Sequence, residues 1–290
     1  MALYGNKAKV GSTEINVYTE GSGYITLVFL AGLGVGCPGL EYKPLYRRLS
    51  DRYKIAVIEK PGYGLSGRAG TPRTVENLVS ESREALRVLG IAPPYVLVPH
   101  SYSGLEAIYW ANSYPEEVKA VLGMDMGLPN MMKAQAAEIP EEKRKAMVKK
   151  TESIMRKVAK RGALSKVLRN KTVNVSSLLD SNELTGEEKT VYTKVYYKNA
   201  FSPEFSEEIL MGEKNAEEAE KTGWLSCPAC FIVSNMKVPV KALSWQKAAI
   251  DYAEKCGAEI HLVNKNHFMY AKIPDKIVRV FAQFLKKQGM

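Results

Sequence analysis

Tyr95-Val-Leu-Val-Pro-His-Ser101-Tyr-Ser-Gly104 is the stretch on which the fold is read. An apolar run, Tyr95 to Val98, leads into a serine, and a helical pattern, Gly104 to Ser113, follows at once. A strand that turns this sharply into a helix lifts one side chain to the carboxyl edge of a sheet, and the doubled-back chain there needs small neighbours. The usual form is Gly-x-Ser-x-Gly. Here Pro99 and Ser103 stand at the flanks, and Gly104 comes one place later. Ser101 is therefore either an activated nucleophile or an ordinary turn residue, and the surroundings decide between them.

Outward from that turn, short apolar runs alternate with helical patterns. Ile25–Leu30, Ile55–Ile58, Ala120–Met124, Ala229–Val233 and Ile260–Val263 are continuous apolar runs, as in strands covered on both faces. Helical stretches lie between them: Thr74–Leu89 before Gly90, Lys241–Cys256 before Gly257, and Asp275–Lys287 at the end. This alternation predicts an α/β fold, a mostly parallel central sheet with helices on both faces. Glu14–Glu20 alternates apolar and polar residues, as an antiparallel edge strand does. Residues 127–220 break the rhythm, being helical, polar and rich in Lys and Glu. They read as a helical insertion, with 1–126 and 221–290 forming the core.

A chain of 290 residues, 46% hydrophobic and 25% charged, has the composition of a soluble globular protein. It has room for a full core without covalent staples. Four cysteines at this length do not make a disulfide framework, so a reducing, cytoplasmic setting is expected. Cys227-Pro-Ala-Cys230 has the spacing of a redox or zinc half-site, but no second ligand pair stands at suitable spacing, and a structural role is expected. The first residues lack the apolar core of a secretion signal, and no run is long enough to cross a bilayer. The net charge of +10 comes with no nucleic-acid motif, so no nucleic-acid partner is expected.

The chain has three histidines. His100 adjoins Ser101, and its side chain is expected to point away from the same site. His261 lies inside a strand, where a satisfied core role is expected. His267 follows the last strand, in a loop at the sheet's carboxyl edge, where a base can reach the nucleophile. The base must in turn be held in one tautomer by a third group. Lys221 to Ile250 contains no Asp or Glu, so the strand Ala229–Val233 ends without an acid. Asp125 ends the strand before it, and the order Ser101, Asp125, His267 fits a Ser-Asp-His series. The alternative is that Asp125 caps the turn into the insertion. Asn235 is a fallback orienter, since an amide holds an imidazole but stabilises its cation less.

Leu30-Ala-Gly-Leu-Gly-Val-Gly36 follows the strand Ile25–Leu30. Glycines let backbone N–H groups turn toward a developing oxyanion, and the N–H groups of Leu33 and Tyr102 are the expected donors. A phosphate loop is a poor reading, because both the Gly-x-Gly-x-x-Gly spacing and the Lys-Ser/Thr pair are missing. No metal and no cofactor are implied. Glu59-Lys-Pro-Gly-Tyr-Gly-Leu-Ser66 reads as a structural turn beside the site.

Together these residues resemble the α/β-hydrolase superfamily over most of the chain outside the insertion. Glu59–Ser66 is similar to its Asp-x-x-Gly-x-Gly-x-Ser loop, with Glu for Asp. Pro99–Gly104 is similar to its Gly-His-Ser-x-Gly-Gly elbow, Asn266-His-Phe with Pro274 to its Gly-His…Pro ending, and the inserted helices to its lid. Two departures stand out: Ala31-Gly32 where His-Gly is common, and Lys237 near the place where most members carry the acid. Certain haloalkane dehalogenases carry the acid after the sixth strand, where Asp125 falls. Dehalogenases and epoxide hydrolases use an Asp nucleophile, against which Ser101 argues. The His-Gly-Gly-Pro-Gly of proline iminopeptidases is absent.

The resemblance implies a serine hydrolase acting on a small acyl substrate, an ester or related compound, through an acyl-enzyme. The alternatives are an aminopeptidase or amidase of the same fold, and a non-catalytic protein that holds a ligand on a hydrolase core. Glu141 to Lys171 carries twelve basic residues and three acids, with Met147, Ile154, Met155 and Val158 at helical spacing. Such a segment could touch anionic lipid weakly or attract anionic substrates, but a solvated helix with its apolar face on the core is the expected reading.

Overall fold

The computed structural model describes residues 5–160, 177–199, 202–236 and 244–290, and of 154–160 only the helical backbone. Ile154, Met155 and Val158 of the basic segment, its charges beyond 160, Lys237 and the expected helix start at Lys241 therefore lie outside the described side chains.

Eight strands form one sheet in the order β1-β2-β4-β3-β5-β6-β7-β8. They are β1 (Asn6–Val10), β2 (Thr13–Glu20), β3 (Thr26–Leu30), β4 (Lys54–Glu59), β5 (Tyr95–Pro99), β6 (Val118–Met124), β7 (Ala229–Ser234) and β8 (Glu259–Val263). From β4 to β8 every pairing is parallel, whereas β1 and β2 pair antiparallel at one edge. The expected mostly parallel sheet is thus observed. β1 was not anticipated, because in Asn-Lys-Ala-Lys-Val only Ala8 is fully buried and too little apolar pattern exists to read.

β3, β5 and β7 are buried along their whole length, which is why they are apolar at every position rather than at alternate ones. The helices are α1 (Pro38–Glu41), α2 (Lys43–Tyr46), α3 (Val75–Val88), α4 (Gly104–Ser113), α5 (Pro129–Glu138), α6 (Glu141–Lys160), α7 (Gly186–Asn199), α8 (Pro203–Leu210), α9 (Gly212–Lys221), α10 (Trp245–Cys256) and α11 (Pro274–Lys287). Thr74 caps α3 by accepting from the Asn77 N–H, and Gly257 ends α10 in the left-handed region at φ +68°. On one face, α3, α4 and α10 pack on Val28, Leu30 and Leu97, while on the other α2 and α11 pack on Leu27, Phe29 and Val96. Successive strand residues point to opposite faces, so both cores are read from the same strands.

Helices α5 to α9 lie between β6 and β7 in sequence. They are tied to the sheet by buried charge. The Lys60 ammonium donates to Glu106 of α4 and Glu208 of α8, both at 2.7 Å, and all three side chains are nearly excluded from solvent. A buried ammonium survives only with such partners. Lys43 pairs with Glu188 of α7 in the same manner. In α6, among the residues whose side chains are described, Met147 is half exposed rather than turned to the core, and Val148 is buried. Among the described residues no helix is long and apolar enough to cross a membrane.

Candidate functional site

β5 ends at Pro99, and the chain turns through a single 3₁₀ turn, Ser101–Ser103, into α4. Ser101 sits at φ +56° and Asp125, just past β6, at φ +46°; among the described residues these are the two non-glycine positions in the left-handed region. Such backbone costs of order 1–3 kcal/mol and persists where the surroundings over-determine it.

The missing flanking glycines have a physical explanation. Ser103, at the second glycine place, is fully buried, and its hydroxyl donates to Leu30 O at 2.8 Å and accepts from the His100 N–H at 3.0 Å. A small hydroxyl here ties the turn to the end of β3. The close approach has moved to Gly104, where an added Cβ would lie 2.2 Å from Gly127 O. Gly127 N–H in turn donates to Ser101 O at 2.6 Å.

Ser101 Oγ and His267 Nε2 are 2.7 Å apart, and His267 Nδ1 lies 2.6 Å from Asp125 Oδ2. A carboxylate only accepts, so the imidazole proton is on Nδ1, and Nε2 is left to accept from the serine hydroxyl. Asp125 is 1% exposed and receives three further hydrogen bonds: from Ser234 N–H at 2.8 Å, Ser234 Oγ–H at 2.6 Å and Trp245 Nε1–H at 2.7 Å. Burial opposes the charge, but the hydrogen bonds from His267 and Ser234 and the charge of His267 outweigh it, and the carboxyl is held below its usual range.

The acid-free end of β7 is thus occupied by a donor, Ser234, for an acid carried on β6. Ser234 and Trp245 are the residues that sequence reading missed. They lie more than a hundred positions from Asp125, and their one signal was a stretch, Lys221 to Ile250, that lacks an acid and holds both of them. Asn235, the fallback orienter, is not brought to His267; its side-chain amide donates to Asn264 and is exposed.

The other two histidines differ from expectation. His100 does not point clear of the site. It is fully buried, its ring lies 4.7 Å from that of His267, and its Nε2–H donates to His267 O at 3.1 Å. The loop after β8 folds back over the end of β5, so the side of the strand opposite Ser101 meets the backbone of His267. Burial, with the neighbouring His267 charge, lowers the His100 pKa to about 3, so it is neutral. His261 is not in the core: it is half-buried and paired with Glu259 at 2.7 Å. β8 is an edge strand, which leaves that side chain partly open. Cys230, Glu259 and His261 bring their ligand atoms within 4.8 Å of one another, and this cluster adjoins Lys287. Cys227 is not part of that group, and both Cys227 and Cys230 carry free thiols.

Leu33 and Tyr102 line one cavity of about 340 Å³ together with Ser101. Gly32 makes this possible: an added Cβ there would lie 2.4 Å from His100 O and 2.6 Å from Ser101 Cβ. The Tyr102 N–H belongs to the first turn of a helix, where such groups lack an intrahelical acceptor. Glu59 serves the neighbouring loop, accepting from Gly39 N–H at 3.1 Å, Leu65 N–H at 2.6 Å and Asn16 Nδ2 at 3.0 Å.

No family model matches the chain. It is 31% identical over 292 residues to the uncharacterized protein YbdG of Bacillus subtilis, across 98% of this chain and 86% of that one. It is 28% identical over 119 residues to the 2-(acetamidomethylene)succinate hydrolase of Mesorhizobium japonicum, 41% of each chain. Among solved structures, a Pseudomonas aeruginosa protein assigned as an epoxide hydrolase superposes with a TM-score of 0.72 at 14% identity, over 98% of this chain and 95% of that one.

Proposed function

We propose that this chain, which has the α/β-hydrolase fold, is a serine hydrolase that cleaves an ester or related acyl bond. The observation that carries this reading is the continuous hydrogen-bond path from Ser101 Oγ through His267 to Asp125. In this reading Ser101 Oγ attacks the substrate carbonyl as His267 Nε2 takes the hydroxyl proton. The Leu33 and Tyr102 N–H groups face the oxyanion, and each such donor contributes on the order of 10²–10³ in rate. His267 returns the proton to the leaving oxygen or nitrogen, which departs and leaves an acyl-serine. Water, deprotonated by His267, then attacks the acyl carbon and frees the acid and Ser101. Asp125 holds the tautomer and stabilises the imidazolium throughout.

An epoxide-opening reading needs a carboxylate nucleophile, and position 101 carries a hydroxyl. The ligand-holding reading rests on the acid missing at the end of β7 and on the imperfect elbow around Ser101; Asp125, with four donors to its carboxylate, speaks for the catalytic reading on the first point. Helices α5 to α9 supply Met132, Arg144 and Ile209 to the cavity wall, in keeping with a lid over residues 127–220. A panel of 4-nitrophenyl esters of increasing acyl length tests the proposal: hydrolysis by the wild type and none above background by Ser101→Ala is expected. Equal rates for the two proteins would overturn it.

A further inference from the structure

Arg144 of α6 stands out in the cavity beside Ser101. Most of the wall is apolar or aromatic, with Leu33, Met132, Ile209, Met236 and Trp245 among its residues. Arg144 is its sole cation among the described residues, and the Arg144 side chain is only 14% exposed. Among the described residues one contact holds the guanidinium: Nη2–H donates to Glu213 at 2.9 Å, and Glu213 is itself about half exposed. Nε and Nη1 have no acceptor among the described residues. A guanidinium presents five donors in a planar fork suited to two carboxylate oxygens. Among the described residues Nε and Nη1 of that fork are uncommitted, and Arg144 lines, together with its partner Glu213, the space that also contains the candidate nucleophile.

We propose that Arg144 is a subsite for an anionic group on the acyl substrate, so that the preferred substrates are esters or related acyl compounds bearing a carboxylate at the end remote from the scissile bond. This rests on the acyl-transfer reading of Ser101 and adds the substrate class. The competing acid, Glu213, reaches Arg144 through a single bond from a half-exposed position, where screening by water keeps an ion pair weak. An incoming carboxylate that engages the fork through two oxygens displaces or shares that contact. It gains charge-assisted bonds in a site sheltered by apolar walls, where they are stronger than in water. The same guanidinium gives a neutral acyl chain no polar return.

The test compares 4-nitrophenyl hemisuccinate with its neutral methyl ester, which keeps the chain and removes the charge. The wild type is expected to favour the anionic ester in kcat/KM. In Arg144→Gln that ratio is expected to fall by on the order of 10-fold to 100-fold, the value of one charge-assisted interaction. Fluorophosphonate labelling of Ser101 in the same preparation shows whether the variant's site is assembled. The wild-type ratio alone overturns the proposal if the two esters are hydrolysed equally or the neutral one is favoured. A ratio unchanged in Arg144→Gln overturns it as well. Turnover of the neutral ester without an Arg144-dependent preference removes the subsite and leaves the hydrolase reading standing. If neither ester is cleaved and Ser101 takes no label, both fall.

Discussion

The Ser234 backbone N–H and hydroxyl both donate to the carboxylate of Asp125, at 2.8 and 2.6 Å, across the paired ends of β7 and β6. The contact joins a strand end that has lost its acid to a neighbouring strand end that carries one. With the Trp245 indole as a further donor, the carboxylate is fixed by groups that serve no other acceptor among the described residues. His267 is then fixed through Asp125.

Replacing Asp125 by Asn keeps the shape and removes the charge that selects the tautomer. A loss on the order of 10³–10⁴ in kcat is expected, since the analogous change in a Ser-His-Asp triad has that size. Steady-state kinetics on any ester the protein cleaves reads this directly. Near-normal turnover would assign the orienting role elsewhere.

Ser234→Ala tests the donor rather than the acid. It removes one hydrogen bond to a buried charge and leaves the backbone N–H in place. Because Ser234 does not line the cavity, the expected effect is a fall of about 10-fold or more in kcat with KM little changed. In the Asp125→Asn background the same change should add much less, because the two residues act through one contact. Full additivity would show that Ser234 acts independently of Asp125.

His100 gives a prediction for stability against pH. Its pKa is lowered from 6.5 to about 3 in the fold. Below about 6.5 the unfolded chain binds a proton that the native, buried ring refuses. The stability tied to the neutral ring is therefore complete above pH 6.5 and is lost as pH falls toward 3. One such proton corresponds to about 1.4 kcal/mol per pH unit, hence about 2 kcal/mol between pH 6.5 and 5. The difference in unfolding free energy between the wild type and His100→Phe should narrow by that amount over this interval. A constant difference would contradict the burial of a neutral His100.

The buried ion cluster that ties α8 to the sheet has a separate test. Lys60→Met leaves Glu106 and Glu208 without their shared cation, and breaking a buried pair in this way costs about 3–5 kcal/mol. A thermal melt is expected to show a large fall in Tm, whereas a loss no greater than that of a surface pair would contradict the packing described.

β3, β5 and β7 were legible because each is buried on both faces and so apolar at every position. Ser101 was legible because it follows such a strand, and His267 because it follows the last apolar run. β1 was not, since one buried alanine makes no pattern. Asp125 could be reached by elimination, but its donors could not: Ser234 and Trp245 meet it only through the parallel pairing of β6 with β7 and the start of α10. His100 was misread because adjacency in sequence says only that its side chain leaves the strand on the other face from Ser101. It does not show that another loop returns to meet it there. The same limit applied to Arg144, one basic residue among twelve in its segment until the cavity distinguished it.

The central claim is that Ser101 is a nucleophile activated by His267. Intact-mass and peptide mapping after exposure to a fluorophosphonate probe tests it most directly. A single phosphonyl adduct on Ser101 is expected in the folded wild type, formed far more slowly in His267→Ala and absent in Ser101→Ala. A folded wild-type protein that takes up no probe, or takes it up at a residue other than Ser101, would contradict it.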